Sequence, residues 1–335
     1  LNIGRVKLGA GVVGASKLLS TASIQYANER KQFKQPIANF GAIQHKLAEQ
    51  AIRIYAVECA VHRAGRDISR MEHRLLGEGK PLGEALLGAA EEYAIECAIL
   101  KVYGSECLDY VVDEGLQIHG GMGYSEEMMM ASAYRDARIN RIFEGTNEIN
   151  RMLTVDMLLK RVLKGEIDLL GPAKAVQKEL MGMPSLGSQE KGLLAEEQKY
   201  VGQLKKLFLA VGGATVQNLM EELQSEQEIL MNLADVIAEI YVCESAILST
   251  LKAVGLRGEE ACASQIAMTK VYVNDAIERC GIHAKNAVAA WADGDNKRML
   301  SLAIKRFTKH ELINTKALRR EVAARLIAAN AYCFK

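Results

Sequence analysis

The chain has 335 residues, a length that suits two helical domains better than one. Its 42 lysines and arginines balance 41 aspartates and glutamates, and a net charge of +1 argues against a broadly basic nucleic-acid binder. Hydrophobic residues at 49% exclude wholesale disorder, and only 4 prolines among many alanines, leucines, glutamates and lysines predict an all-α protein.

Apolar spacing predicts a first helix over 3–29, with Val6, Leu8, Val12, Val13, Leu18, Leu19 and Ile24 as its inward positions. It runs into the polar stretch Asn28 to Ile37, where Pro36 disfavours helix at Gln35. Further helices are expected over 41–71 and 83–118, the latter stopped by Gly120-Gly121-Met122-Gly123. A short helix follows at 128–141, a break at Glu144-Gly145-Thr146-Asn147, and another helix to about 164. Residues 165–192 hold Pro172, Pro184 and five glycines, and read as a linker. Helices then resume near 194–211, 213–252, 257–292, 295–308 and 310–331. The expected architecture is two up-and-down helical bundles, 1–160 and 194–335, joined by a linker over 161–193.

The second half echoes the first: Leu47-Ala48-Glu49, Ile54-Tyr55, Glu58 and Ala60 recur 186 residues later as Leu233-Ala234-Asp235, Ile240-Tyr241, Glu244 and Ala246. Two related bundles would give this, and so would chance between alanine-rich amphipathic helices. The seven cysteines (59, 97, 107, 243, 262, 280, 333) form no CxxC pair, which fits reduced thiols. The six histidines lack metal-ligand spacing, so no metal site is assigned. No run of 18 apolar residues predicts a membrane-spanning helix. A chain that opens at Leu1 directly into a helical pattern reads as the downstream part of a longer protein.

Three segments could carry chemistry. In Ile142-Phe143-Glu144-Gly145-Thr146-Asn147-Glu148-Ile149, a carboxylate lies between an apolar pair and a glycine at a helix break, with Thr146 or Asn147 able to cap the next helix. Apolar neighbours raise a carboxyl pKa and a helix N-terminus lowers it, a balance that suits a general base; the plain alternative is a capped junction with a solvated glutamate. In Gln117-Ile118-His119-Gly120-Gly121, adjacent glycines let a ligand approach the backbone, or simply end a helix. In Asn28 to Phe33, Arg30 offers a guanidinium fork to a pyrophosphate, or complements the end of a helix; Arg5 has the same two readings.

Taken together, the order and spacing of Asn2-Ile3-Gly4-Arg5, Glu29-Arg30-Lys31-Gln32-Phe33-Lys34-Gln35-Pro36-Ile37, Gln117 to Tyr124, Arg135 to Ile139 and Ile142 to Ile149 resemble the C-terminal helical domain of acyl-CoA dehydrogenases. The resemblance covers about residues 1–160. It implies FAD as cofactor and Glu144 as the base that removes the α-proton of an acyl-CoA, while the β-hydrogen leaves as hydride to give a trans-2-enoyl-CoA. Arg30, Lys31, Gln32 and Phe33, then Gln117, Ile118, His119, Gly120 and Gly121, then Thr146, Asn147 and Glu148 fall where the family contacts FAD. Family members share each FAD across a subunit interface, so these sets need not serve one molecule. Asn2 and Arg5 fall at substrate contacts, and Gly145 lies next to the thioester.

Asn2 stands where many members have Asp, Phe143 where many have Tyr, and Gly41 where many have Gln. The family's N-terminal helical and middle β-domains are absent, so the chain alone is expected to be inactive and to bind FAD weakly. Helices beyond 193 resemble the very-long-chain branch, which implies long-chain substrates, a homodimer, electron-transfer flavoprotein as acceptor and peripheral membrane contact. Eight lysines and arginines against two glutamates over 301–335 suit an anionic lipid surface, or a solvated bundle edge; an apolar face of the linker (Leu169, Leu170, Leu180, Met181, Met183) is the other candidate. The implied setting is a bacterial cytoplasm, alternatively a mitochondrial matrix. The alternative function is a non-catalytic assembly or scaffold protein of the same descent.

Overall fold

A computed structural model describes residues 1–182 and 192–334. Among these the chain is all-α, as expected, with thirteen helices: α1 Asn2–Glu29, α2 Gly41–Gly77, α3 Leu82–Glu92, α4 Ala94–His119, α5 Gly121–Tyr124, α6 Met129–Arg138, α7 Asn147–Leu163, α8 Leu170–Met181, α9 Ala195–Leu219, α10 Gln227–Arg257, α11 Ala263–Trp291, α12 Gly294–Phe307 and α13 Thr315–Ala329. One two-stranded antiparallel hairpin, β1 Lys31–Gln32 and β2 Gln35–Pro36, pairs Lys31 with Pro36 and Gln32 with Gln35.

Packing divides the chain into two compact units that are discontinuous in sequence. The first holds residues 1–150, 248–272 and 314–335. Its centre is α1 against α4, and the contact is close because glycines meet: a Cβ on Gly104 would lie 3.2 Å from the Gly9 Cα. The inward stripe of α1 is accordingly small. Ser16, Ser20 and Ser23 are fully buried, and Ser16 and Ser23 return their hydroxyls to the carbonyls of Val12 and Leu19 at 2.7 and 2.9 Å. Leu18, expected inside, is instead 62% exposed.

Helix α2 packs beside this pair, and α13 packs on α2. The Arg319 guanidinium donates to Glu49 at 2.6 Å with both side chains nearly buried. Asn28, at the end of α1, donates to the Ile327 carbonyl and to Asn330 Oδ1. A buried hydroxyl chain, Tyr55 to Thr250 to Thr269 at 2.7 Å per step, ties residues 248–272 into this unit.

The second unit holds residues 151–247 and 273–313. Its core includes Leu204, Leu207, Val211, Val242, Ile277, Leu300, Ile304 and Phe307. Arg279 grips the buried Glu239 through both oxygens, and Arg151 donates to Asp235 at 2.7 Å. Asp235 matches Glu49 in the internal echo, so both copies of that position hold a carboxylate paired with an arginine.

Three expected boundaries move. The helix read over 83–118 breaks at Tyr93 (φ −101°, ψ 31°), which re-aims α4 along α1 without glycine or proline. The break expected at 212 is absent: α9 runs through Gly212-Gly213, and the chain turns at Met220, which adopts φ 47°. Residues 170–181, within the expected linker, form α8, whose Val176 is buried and whose Glu179 binds Lys206 and Arg306. The rest of the linker's glycine- and proline-rich part, 183–191 with Pro184 and Met183, lies outside the described residues.

Candidate active site

The Glu144 turn sits where the start of α1 meets α4 and α7. Glu144 and Gly145 both take positive φ, 59° and 84°. Glycine adopts this without strain, whereas a glutamate is held there at a cost of about 1 kcal/mol by its surroundings. The holders are visible. Asn150, fully buried, directs its Nδ2 to the carbonyls of Glu144 (3.4 Å), Gly145 (2.8 Å) and Thr146 (3.0 Å). Arg5 Nε donates to the Glu144 carbonyl at 3.3 Å, and its Nη1 donates to Asn2 Oδ1 at 3.1 Å.

The turn delivers the carboxylate onto the backbone of α1 at Gly4. A Cβ there would fall 2.6 Å from the Glu144 Cδ, so only glycine provides the seat. Glu144 Oε2 is buried and has no hydrogen-bond partner. A buried carboxylate oxygen with no donor of its own remains open to a group that enters the site. Arg5, whose guanidinium is held beside this turn, is itself only 4% exposed. Burial lowers its pKa from the ordinary value, while Cys97 and Glu144 push it back up.

Four expected site residues therefore meet: Asn2, Arg5, Glu144 and Gly145. Thr146 caps α7, its Oγ1 accepting from the Ile149 amide at 3.3 Å. Asn147 is 2% exposed, and its amide is fully engaged: Oδ1 accepts from Lys101 Nζ at 2.8 Å, and Nδ2 donates to Ser105 Oγ and Glu106 Oε1, each at 3.0 Å. Glu148 is exposed in the first turn of α7.

The other two expected sets lie at the opposite end of α1. Arg30, Lys31, Gln32 and Phe33 are exposed on the hairpin, where Phe33 (φ 51°) and Lys34 (φ 67°) form the tight turn and Phe33 is 86% exposed. Gln117, Gly120 and Gly121 are exposed at the end of α4, and a Cβ on either glycine would meet nothing within 4 Å. Ile118 and His119 point inward instead. His119 stacks on Tyr26 at 4.2 Å, donates from Nδ1 to the Gly115 carbonyl at 2.7 Å, and is pushed below its ordinary pKa by burial. From Arg5 to Arg30 is 25 residues of helix, about 38 Å at the α-helical rise.

Gly41, where the resemblance marks a missing side chain, is covered by Arg320 of α13: a Cβ at Gly41 would lie 2.6 Å from its Nη2. Lys101, Asn150 and Gly4 were not singled out as site residues from sequence. Lys101 left a signal, a charge inside the apolar run Ala98-Ile99-Leu100-Lys101-Val102; Asn150 and Gly4 left none that spacing could isolate.

A family model described as "Acyl-CoA dehydrogenase, C-terminal domain" matches residues 1–159, and a second model of the same description matches residues 203–306. A probable acyl-CoA dehydrogenase of Bacillus subtilis is 42% identical over 99% of this chain and 56% of its own length. The human very long-chain specific acyl-CoA dehydrogenase is 30% identical over 72% of this chain and 37% of its own length. An acyl-CoA dehydrogenase from Bacillus anthracis, solved in complex with FAD, superposes with a TM-score of 0.95 at 42% identity, over 99% of this chain and 56% of that one. The all-α fold and the two matched regions are those of acyl-CoA dehydrogenase C-terminal domains, and the chain belongs to the acyl-CoA dehydrogenase family. It spans about half the length of the bacterial relatives it matches.

Proposed function

We propose that this chain forms the C-terminal part of an FAD-dependent acyl-CoA dehydrogenase that oxidises long-chain acyl-CoA to trans-2-enoyl-CoA, with Glu144 as the base. One observation carries the reading: the buried, unpartnered Oε2 of Glu144, seated on Gly4 by a strained and clamped turn. Such an oxygen takes the α-proton of a thioester held beside it, while Arg5 and Asn150 keep the backbone from yielding. FAD, when bound, supplies the acceptor for the β-hydrogen as hydride. The residues suit that group: the open backbone at Gly121 and the exposed Arg30 offer an N–H and a guanidinium to phosphates, while Gly120, whose own N–H is held by the Gln117 carbonyl, leaves room for their approach.

The span of about 38 Å along α1 supports a homodimer, because one dinucleotide cannot present its reacting ring to Glu144 and its phosphates to the same chain's hairpin. The long-chain assignment rests on the likeness to the very long-chain enzyme and on the second helical region. Electron-transfer flavoprotein is the proposed electron acceptor, and the bacterial relatives support a cytoplasmic setting. Peripheral membrane contact is proposed for α12, where Lys297, Arg298 and Lys305 flank Leu302, itself 66% exposed. The chain alone, without the remaining segments its relatives possess, is proposed to be inactive.

The test is anaerobic flavin bleaching by palmitoyl-CoA in the full-length protein and its E144Q variant. Bleaching in the parent and not in the variant supports the reading. Bleaching that survives E144Q overturns the base assignment, and a full-length protein that carries no FAD overturns the enzyme.

A further inference from the structure

Lys101 is fully buried on α4, although lysine is among the residues least often found so. Its Nζ donates to Asn147 Oδ1 at 2.8 Å. Asn147 is three residues beyond Glu144 and opens α7. With its Nδ2 engaged by Ser105 and Glu106, the Asn147 amide is fixed in one orientation, since flipping it would set an NH2 group against the Lys101 ammonium. The stretch from Glu144 to Asn147 contains two residues at positive φ, Glu144 and Gly145, and Asn147 ties its far end to α4.

We propose that Lys101 is a positioning residue for the Glu144 turn: acting through Asn147, its ammonium fixes the start of α7 and with it the point at which the Glu144 carboxylate is held over Gly4. The catalytic consequence rests on the reading of Glu144 as base. The charged groups facing Lys101 are Glu148 on α7, Glu106 on α4, Arg5 on α1 and Arg141 in the turn after α6. Burial brings Lys101 down to about 8; the two glutamates oppose this and the two arginines add to it. Lys101 therefore loses its charge as pH rises through about 8, and a neutral amine holds the Asn147 oxygen less firmly.

The experiment uses the full-length protein with K101M, N147A and the double variant. Three quantities are read: the rate constant of flavin reduction by palmitoyl-CoA against pH, the Kd for palmitoyl-CoA, and amide hydrogen exchange over residues 142–150. The proposal expects K101M to slow reduction by about 10- to 100-fold with Kd unchanged, as for a small displacement of a reacting group. It expects the alkaline fall of the parent near pH 8 to be absent in K101M, and exchange across the turn to rise by about tenfold. The double variant should be no slower than N147A alone, which also carries the test if K101M does not fold. Unchanged exchange in both single variants overturns the proposal, and so does an effect confined to Kd. If the parent does not bleach, the proposed activity on this substrate falls separately, and exchange alone decides whether Lys101 holds the turn.

Discussion

The Glu144 turn and the 31–36 hairpin are built from the same unusual ingredient and finished in opposite ways. Each places a bulky residue at positive φ, Glu144 in one and Phe33 with Lys34 in the other. At Glu144 the strain is locked by Arg5 and Asn150 and by a glycine seat. At the hairpin it is held by a two-residue ladder and an edge contact between Phe33 and Phe40 at 6.0 Å. On the proposed reading, the difference follows from what each has to do. A base must be in place before its substrate arrives, because displacement costs rate directly. A surface that meets a cofactor or a second subunit can be completed by the partner it binds.

Five perturbations would break or sharpen that contrast. E144Q should reduce flavin reduction by about 10²- to 10⁴-fold while leaving FAD bound, measured by stopped-flow bleaching; a hairpin variant with an equal effect on the chemical step would erase the distinction. R319A should destabilise the first unit by about 3 kcal/mol, read by urea unfolding, because Glu49 stays nearly buried without its main partner. G4A should slow flavin reduction by about 100-fold with little change in thermal midpoint, since the added carbon occupies the carboxylate's place. N150A should cost about 2 kcal/mol by the same urea measurement, and raise KM less than it lowers kcat, because three carbonyls lose one donor. K34G should stabilise by about 0.5–1 kcal/mol and leave reduction rates unchanged, since glycine adopts the turn's backbone freely.

Where the fold is periodic or broken by glycine and proline, it was legible: α1 ends within a residue of its expected end, and Gly120 stops α4. Where a helix breaks without a breaker, it was not. Tyr93 and Met220 interrupt helices with neither glycine nor proline at the break, and Gly212-Gly213 fails to interrupt one because glycine inside a helix costs only about 1 kcal/mol each against alanine. Leu18 and Ser20 show the same limit on α1, where closeness to α4 selects small residues over large ones. At the site, Glu144, Gly145, Arg5 and Asn2 were legible as a motif. Their clamps were not, because Lys101 becomes a neighbour of the turn only when α4 packs against α7, the reach of Asn150 back to three carbonyls exists only once the turn has its shape, and a glycine's value as a seat depends on what lies opposite.

Helix α1 carries the seat of Glu144 at one end and the root of the hairpin at the other, with no interruption over its 28 residues. That makes it a phase standard as well as a spacer. Inserting one residue would advance the hairpin by about 1.5 Å and turn it by about 100° relative to Gly4. Substitutions on the exposed face of α1, at Leu18 for example, leave that phase untouched, whereas any change in its length does not. Along this stretch it is the number of residues, more than their identity, that sets the register between Gly4 and the hairpin.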